Sequence, residues 1–114
     1  MITLEEIVEI NKAVGGTTLN DGSIAFALHM AEKKAIYMKI ALLLRAILID
    51  HPFTDGNKRT ALYTTYLLLE RNDTPIDKAT RIRIDKALMR IVIKQEDHSL
   101  VNIERRIRYA VEGR

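Results

Sequence analysis

Within nine positions, His51 to Arg59, the chain places an imidazole, a carboxylate, a glycine, a carboxamide, an ammonium and a guanidinium, in the order HPFTDGNKR. Histidine exchanges a proton near neutral pH and suits general acid–base work. Asp55 is a hard oxygen ligand of the kind that holds Mg2+ against substrate phosphates. Gly56 lets the backbone approach an anion closely, or turn through positive φ into a nest of N–H groups. Asn57 adds an amide donor. Lys58 and Arg59 add two cations, the guanidinium suited to a two-point grip on phosphate oxygens. Phe53 offers an apolar anchor for the loop. Each residue has an ordinary reading on its own: a histidine after a helix, an Asp-Gly turn, an asparagine cap. Together they converge on one helix start, whose free N–H groups and dipole attract anions. That combination points to phosphoryl or nucleotidyl transfer from a Mg2+-bound nucleotide to a hydroxyl.

The cluster lies between two apolar segments that must position it. Upstream, Ala35 to Ile49 carries Ile36, Ile40, Leu43, Leu44 and Ile47 on one face, and Leu42, Ala46 and Leu48 widen the stripe. A helix apolar most of the way round belongs at the centre of a bundle. Arg45 interrupts it, and either snorkels outward or pairs with a buried acid. Downstream, RTALYTTYLLLERN is helical by the spacing of Leu62, Tyr66 and Leu69, beginning near Lys58 or Arg59 and ending at Asn72-Asp73.

The remaining elements are also helical. Thr3 and Glu6 form a capping box for a helix reaching about Ala13, and Gly15-Gly16 breaks it. GGTTLNDG is a loop whose β-prone centre allows a short extended flap. A helix restarts near Ser23, with a bend at 32–34. Asp77 caps a helix carrying Ile84, Leu88 and Ile91. QEDHS separates it from a last helix with Leu100, Ile103, Ile107 and Val111 inside and Gly113 as its stop. No useful strand alternation occurs. The expected fold is all-α, a single domain over 1–114, a bundle of about six helices with a short flap.

Composition agrees. The chain has 114 residues, 47% of them hydrophobic, which excludes a disordered chain, and only 5% aromatic, so the core must be aliphatic. It has no cysteine, which rules out a disulfide framework and suits a cytoplasmic location. Residues 2–10 lack a basic start, so no secretory signal is expected. The greasiest run, Ile40 to Ile49, is too short and too charged to span a bilayer. Net charge is +3, with ten Lys or Arg against five Asp or Glu from Lys78 onward. Such a face can meet phosphates or an acidic partner. Tyr109 is the only aromatic after Tyr66, so stacking platforms for nucleic acid are missing.

HPFTDGNKR resembles the signature loop of the Fic/Doc family, H-x-F-x-[D/E]-G-N-[G/K]-R, at all seven specified positions. TLEEIVEINKAV, GGTTLNDGSIAFAL and TALYTTYLLLERN follow the order of elements in its short, death-on-curing (Doc-like) branch. The resemblance implies His51 as general base, Asp55 as the Mg2+ ligand, and Gly56, Asn57, Lys58 and Arg59 around the phosphates of ATP. It implies Phe53 as the structural anchor. Thr17, Thr18, Leu19 and Asn20 would form the flap that holds target backbone by strand addition. Members that transfer AMP typically read G-N-G-R-x-x-R; here Lys58 replaces the second glycine and Leu62 the second arginine. The resemblance thus favours transfer of the γ-phosphoryl group to a protein hydroxyl, with AMP transfer as the alternative. It also implies a toxin acting on a translation factor and restrained by a separate antitoxin. The family's self-inhibitory motif, [S/T]-x-x-x-E-[G/N], is not met: no glutamate of the chain has Ser or Thr four residues before it.

Overall fold

The computed structural model describes residues 1–93 and 97–113. It is an all-α bundle: α1 (Leu4–Ala13), α2 (Gly22–Ala31), α3 (Ile36–Asp50), α4 (Asn57–Arg71), α5 (Lys78–Ile93) and α6 (Leu100–Glu112). Among the described residues the only extended pairing is a single antiparallel bridge, Thr18 to Phe53. Among the described residues no helix is long and apolar enough to cross a membrane. The expected break at QEDHS falls partly on residues 94–96, outside the described residues.

α3 is the axis. Ile40 to Leu44 and Ala46 to Leu48 are all buried, and α2, α4 and α6 pack around them. Arg45 is exposed, which settles the choice left open by the sequence: it points outward. Helix ends follow local chemistry. Thr3 accepts from Glu6 N–H while Glu6 accepts from Thr3 N–H, the reciprocal arrangement expected of Thr-x-x-Glu. Asp77 accepts from Thr80 N–H at 2.8 Å, and Gly113 ends α6 at φ 78.

The buried face of α4 matches its Leu62, Tyr66 and Leu69 spacing only in part. Of Leu62, Tyr66 and Leu69 only Leu69 is buried; the rest of the buried face is Thr60, Ala61, Thr64, Thr65 and Leu68. Small residues let α4 sit close, and the Thr65 hydroxyl is satisfied by Ala61 C=O at 2.9 Å. The helix starts at Asn57 rather than at Lys58 or Arg59, because Gly56 takes the left-handed cap conformation and frees Asn57 to be the first helical residue.

α1 is fastened to the end of α4 by the Arg71 guanidinium, which grips the Glu6 carboxylate and donates to Met1 C=O at 3.0 Å. The Arg71 hydrogen bond and the Thr3 N–H together hold the Glu6 carboxyl at about 2, below its ordinary 4.5. A carboxyl whose pKa is depressed by folding stabilises the fold above its unfolded value and loses that contribution as pH falls through the folded value. Replacing Glu6 by Gln should therefore lower the melting temperature at pH 7, modestly because the pair is solvent-screened. Melts followed by circular dichroism should show the deficit shrink as pH falls from 4.5 towards 2. A deficit unchanged over that range would assign Glu6 a packing role instead.

Candidate active site at the α3–α4 turn

α3 stops at His51, which adopts φ 49, ψ 63. Pro52 explains the stop. Proline crowds the residue before it out of the right-handed helical region, and it has no N–H with which to continue the helix. A left-handed histidine is strained by about 1–2 kcal/mol. The reward is position: the imidazole is exposed at the rim of the turn.

The turn is then held on three sides. Phe53 is 2% exposed and sinks into the core. Its backbone N–H donates to Asn57 Oδ1 at 3.2 Å, and its C=O accepts from Asn57 Nδ2 at 3.0 Å. Asn57 thus closes the loop on itself, with its amide turned to Phe53 and its backbone N–H left at the helix start. On the second side lies the segment Thr17 to Asn20. Thr54 N–H donates to Thr17 C=O at 2.9 Å; Leu19 N–H and Asn20 N–H donate to Pro52 C=O at 2.8 and 3.1 Å. The flap is therefore bonded to the loop it borders. The Thr18 N–H and C=O point to the opposite edge and have no partner among the described residues.

The third side is α1. Asn11 is 1% exposed. Its Nδ2 donates to Asp55 C=O at 2.8 Å and to Thr60 Oγ1 at 3.1 Å. One buried amide thus joins α1 to both the loop and the first turn of α4. The space around it is full: a Cβ on Gly16 would lie 2.4 Å from both Asn11 Oδ1 and Asp55 O. Gly56, at φ +72, could not carry a Cβ without meeting Val14 Cγ2 at 2.6 Å. Both glycines are demanded by close approach, and Gly56 also by its backbone angle.

An open depression of about 470 Å³ results, bordered by His51, Asp55, Gly56, Asn57, Lys58 and Arg59. The backbone N–H groups of Asn57, Lys58 and Arg59 have no hydrogen-bond partner among the described residues; the first bond of the ladder is Thr60 N–H to Gly56 C=O. Arg59 is exposed. Lys58 leans away to Asp85 on α5, Nζ to Oδ1 3.5 Å. The Asp55 Oδ1 accepts from Gly56 N–H at 2.7 Å, and its Oδ2 has no partner among the described residues. No group of three or more metal-ligating side chains occurs among the described residues. A divalent cation here would have one protein carboxylate and take its other ligands from phosphate and water, which is the usual habit of Mg2+.

The profile of the Fic/DOC family matches residues 2–69, more than half of the chain, from before α1 into α4. The chain belongs to the Fic/DOC family. Members of that family are generally transferases that modify proteins, and the matched stretch contains every element of the depression just described. Asp85, the partner of Lys58, comes from α5, beyond the match. No curated protein matches the chain, and no solved structure does.

Two contacts at this depression were not foreseen from sequence. Asn11 falls on the inward stripe of α1, one turn after Ile7; a polar residue at an apolar position was the available signal. Asp85 is one of several charges on α5, and nothing in its spacing points to Lys58. Replacing Asn11 by Ala strands two acceptors and should cost about 2–4 kcal/mol in urea unfolding. Asn11→Asp keeps the shape and removes the donor, so it should cost nearly as much; a neutral Asn11→Asp would show that this amide does not hold the loop.

Proposed function

We propose that this Fic/DOC chain is a Doc-like enzyme that transfers the γ-phosphoryl group of ATP to a hydroxyl side chain of a protein. The observation that carries the reading is the row of unpartnered N–H groups at the α4 start, opening onto the same depression as His51 and Asp55. Such a row binds phosphate oxygens without any side chain having to move. Arg59 adds charge for the transferring group. Mg2+, held by Asp55, would neutralise phosphate charge. His51 takes the proton from the attacking hydroxyl. That oxygen bonds to the γ-phosphorus, the bond from the γ-phosphorus to its bridging oxygen breaks, and ADP leaves.

Two residues favour the γ- over the α-phosphorus. Lys58, its ammonium drawn towards Asp85, stands where AMP-transferring members have a glycine. Leu62 supplies no second guanidinium for an outer phosphate. The flap's free Thr18 edge, beside exposed Leu19 (67%), supports an extended target segment adding to it as a strand. On the same reading the chain is the toxin of a pair, its target a translation factor. A separate antitoxin, folding as it binds, covers the groove between flap and loop.

Incubation with a lysate and labelled ATP tests the reaction. Label from the γ-position should enter protein and label from the α-position should not; the converse result establishes AMP transfer. Replacing His51 by Ala should slow transfer by roughly 10²–10⁴-fold with no loss of fold, because the residue is exposed. An undiminished rate would remove His51 from the mechanism. Lys58→Gly should abolish γ-transfer, read with the same two labels. Expression of the chain alone should arrest growth; harmless accumulation of folded, nucleotide-binding protein would refute the toxin role.

A further inference from the structure

Thr54 occupies a position that the Fic/DOC signature leaves open, between the phenylalanine and the acid of H-x-F-x-[D/E]. Nothing in the phosphate-site reading uses its side chain. Yet it is the one hydroxyl among the residues bordering the depression. We propose that Thr54 is a modification site: the chain transfers the γ-phosphoryl group of ATP to its own Thr54, and the phosphothreonine then closes the site that made it. The proposal rests on the γ-phosphoryl reading above and adds a regulation of the same site.

The hydroxyl is both accessible and held. Thr54 is exposed, three residues after His51. Its backbone N–H donates to Thr17 C=O at 2.9 Å, and its Oγ1 accepts from Thr17 N–H at 3.0 Å. The Thr17 hydroxyl lies 3.1 Å from the same oxygen. The nucleophile therefore waits at one place on the rim of the depression instead of sweeping through solvent. A fixed intramolecular acceptor has the entropic advantage over any hydroxyl that must first arrive from outside. In the transfer, Thr54 Oγ1 bonds to the γ-phosphorus of Mg-ATP and its proton passes to His51. The bond from the γ-phosphorus to its bridging oxygen breaks, and ADP leaves.

The product changes the balance of charge at the turn. Before transfer the Thr54 side chain is neutral and ties the turn to the flap. Afterwards its oxygen is an ester oxygen with no proton to give, and the new phosphate carries about −1.5 to −2 charges at pH 7. The Asp55 carboxylate, next in the chain, repels it. The N–H groups of Asn57, Lys58 and Arg59, unpartnered among the described residues, and the exposed Arg59 side chain attract it. These are the groups offered to the phosphates of ATP, so the phosphothreonine is a tethered competitor for them. No glutamate of the chain supplies the family's self-inhibitory motif. Phosphate on Thr54 supplies a restraint of a different kind, one that accumulates with turnover.

Incubation of the purified full chain with Mg-ATP, followed by intact-mass and fragment-mass measurement, tests it. One phosphoryl group should appear, located at Thr54, with a rate constant independent of protein concentration. Thr54→Val, similar in shape but without the hydroxyl, should abolish self-labelling and leave transfer to lysate proteins. Thr54→Ser should keep the label. The phosphorylated chain should bind Mg-ATP at least about tenfold more weakly, the worth of one charge-assisted hydrogen bond. Labelling of lysate proteins should accordingly slow with time in the unsubstituted chain and stay steady in Thr54→Val. Circular dichroism checks that both variants fold. Label that persists in Thr54→Val, or lysate labelling by a chain that stays unlabelled itself, overturns the proposal and leaves the transfer reading standing. A rate constant that rises with protein concentration refutes the single-chain step, and undiminished ATP binding by the phosphorylated chain refutes the closing of the site. A chain that labels neither itself nor any lysate protein brings down the transfer reading and this proposal with it.

Discussion

A single buried carboxamide holds the site together. Asn11 sits where an apolar residue would ordinarily complete the inner stripe of α1, and it spends both amide hydrogens on groups far along the chain, Asp55 C=O and Thr60 Oγ1. A buried donor is costly to leave unpaired, so the pairing has a steep preference for one geometry. That geometry sets where Asp55 presents its carboxylate and where α4 begins. Gly16 and Gly56 are glycines because the backbone crowds around this contact. The amide therefore ties the position of the loop directly to that of α1.

The loop is built from restraints that each use a different kind of chemistry. Pro52 ends α3 by sterics, Phe53 anchors by burial, Asn57 closes the loop by pairing its amide with the Phe53 backbone, and the flap adds main-chain bonds. What remains unrestrained is the set proposed to act on the ligand: the His51 ring, one Asp55 oxygen, Arg59 and the α4 N–H groups. This division suits a site that must meet a charged ligand without reorganising. Lys58 is intermediate, drawn to Asp85 by a half-exposed pair that stabilises the protein little but holds the ammonium to one side.

The helical order and the core of α3 were legible because aliphatic periodicity and capping chemistry are local signals. The Thr-x-x-Glu box, Asp77 and Gly113 all act within a turn of where they lie. The cluster from His51 to Arg59 was legible because its residues are contiguous. The rest of the buried face of α4 was not, since half of that face is threonine, which reads as polar in sequence but, as at Thr65, can return its hydrogen bond to the helix backbone when buried. Asn11 and Asp85 were not legible either. Each acts through a partner more than twenty-five positions away, and such pairings are set by how helices pack, which spacing along one helix does not encode.

The hydrogen bonds between flap and loop have a thermodynamic consequence. Thr17, Leu19 and Asn20 share main-chain bonds with Pro52 and Thr54, so the two segments cannot be ordered independently. A molecule that steadied the flap would also steady the turn carrying His51, and on the proposed reading a phosphate ligand that steadied the turn would strengthen the flap for its guest by the same free energy. Occupancy of either side would thereby be felt at the other, although the two proposed ligands need never touch.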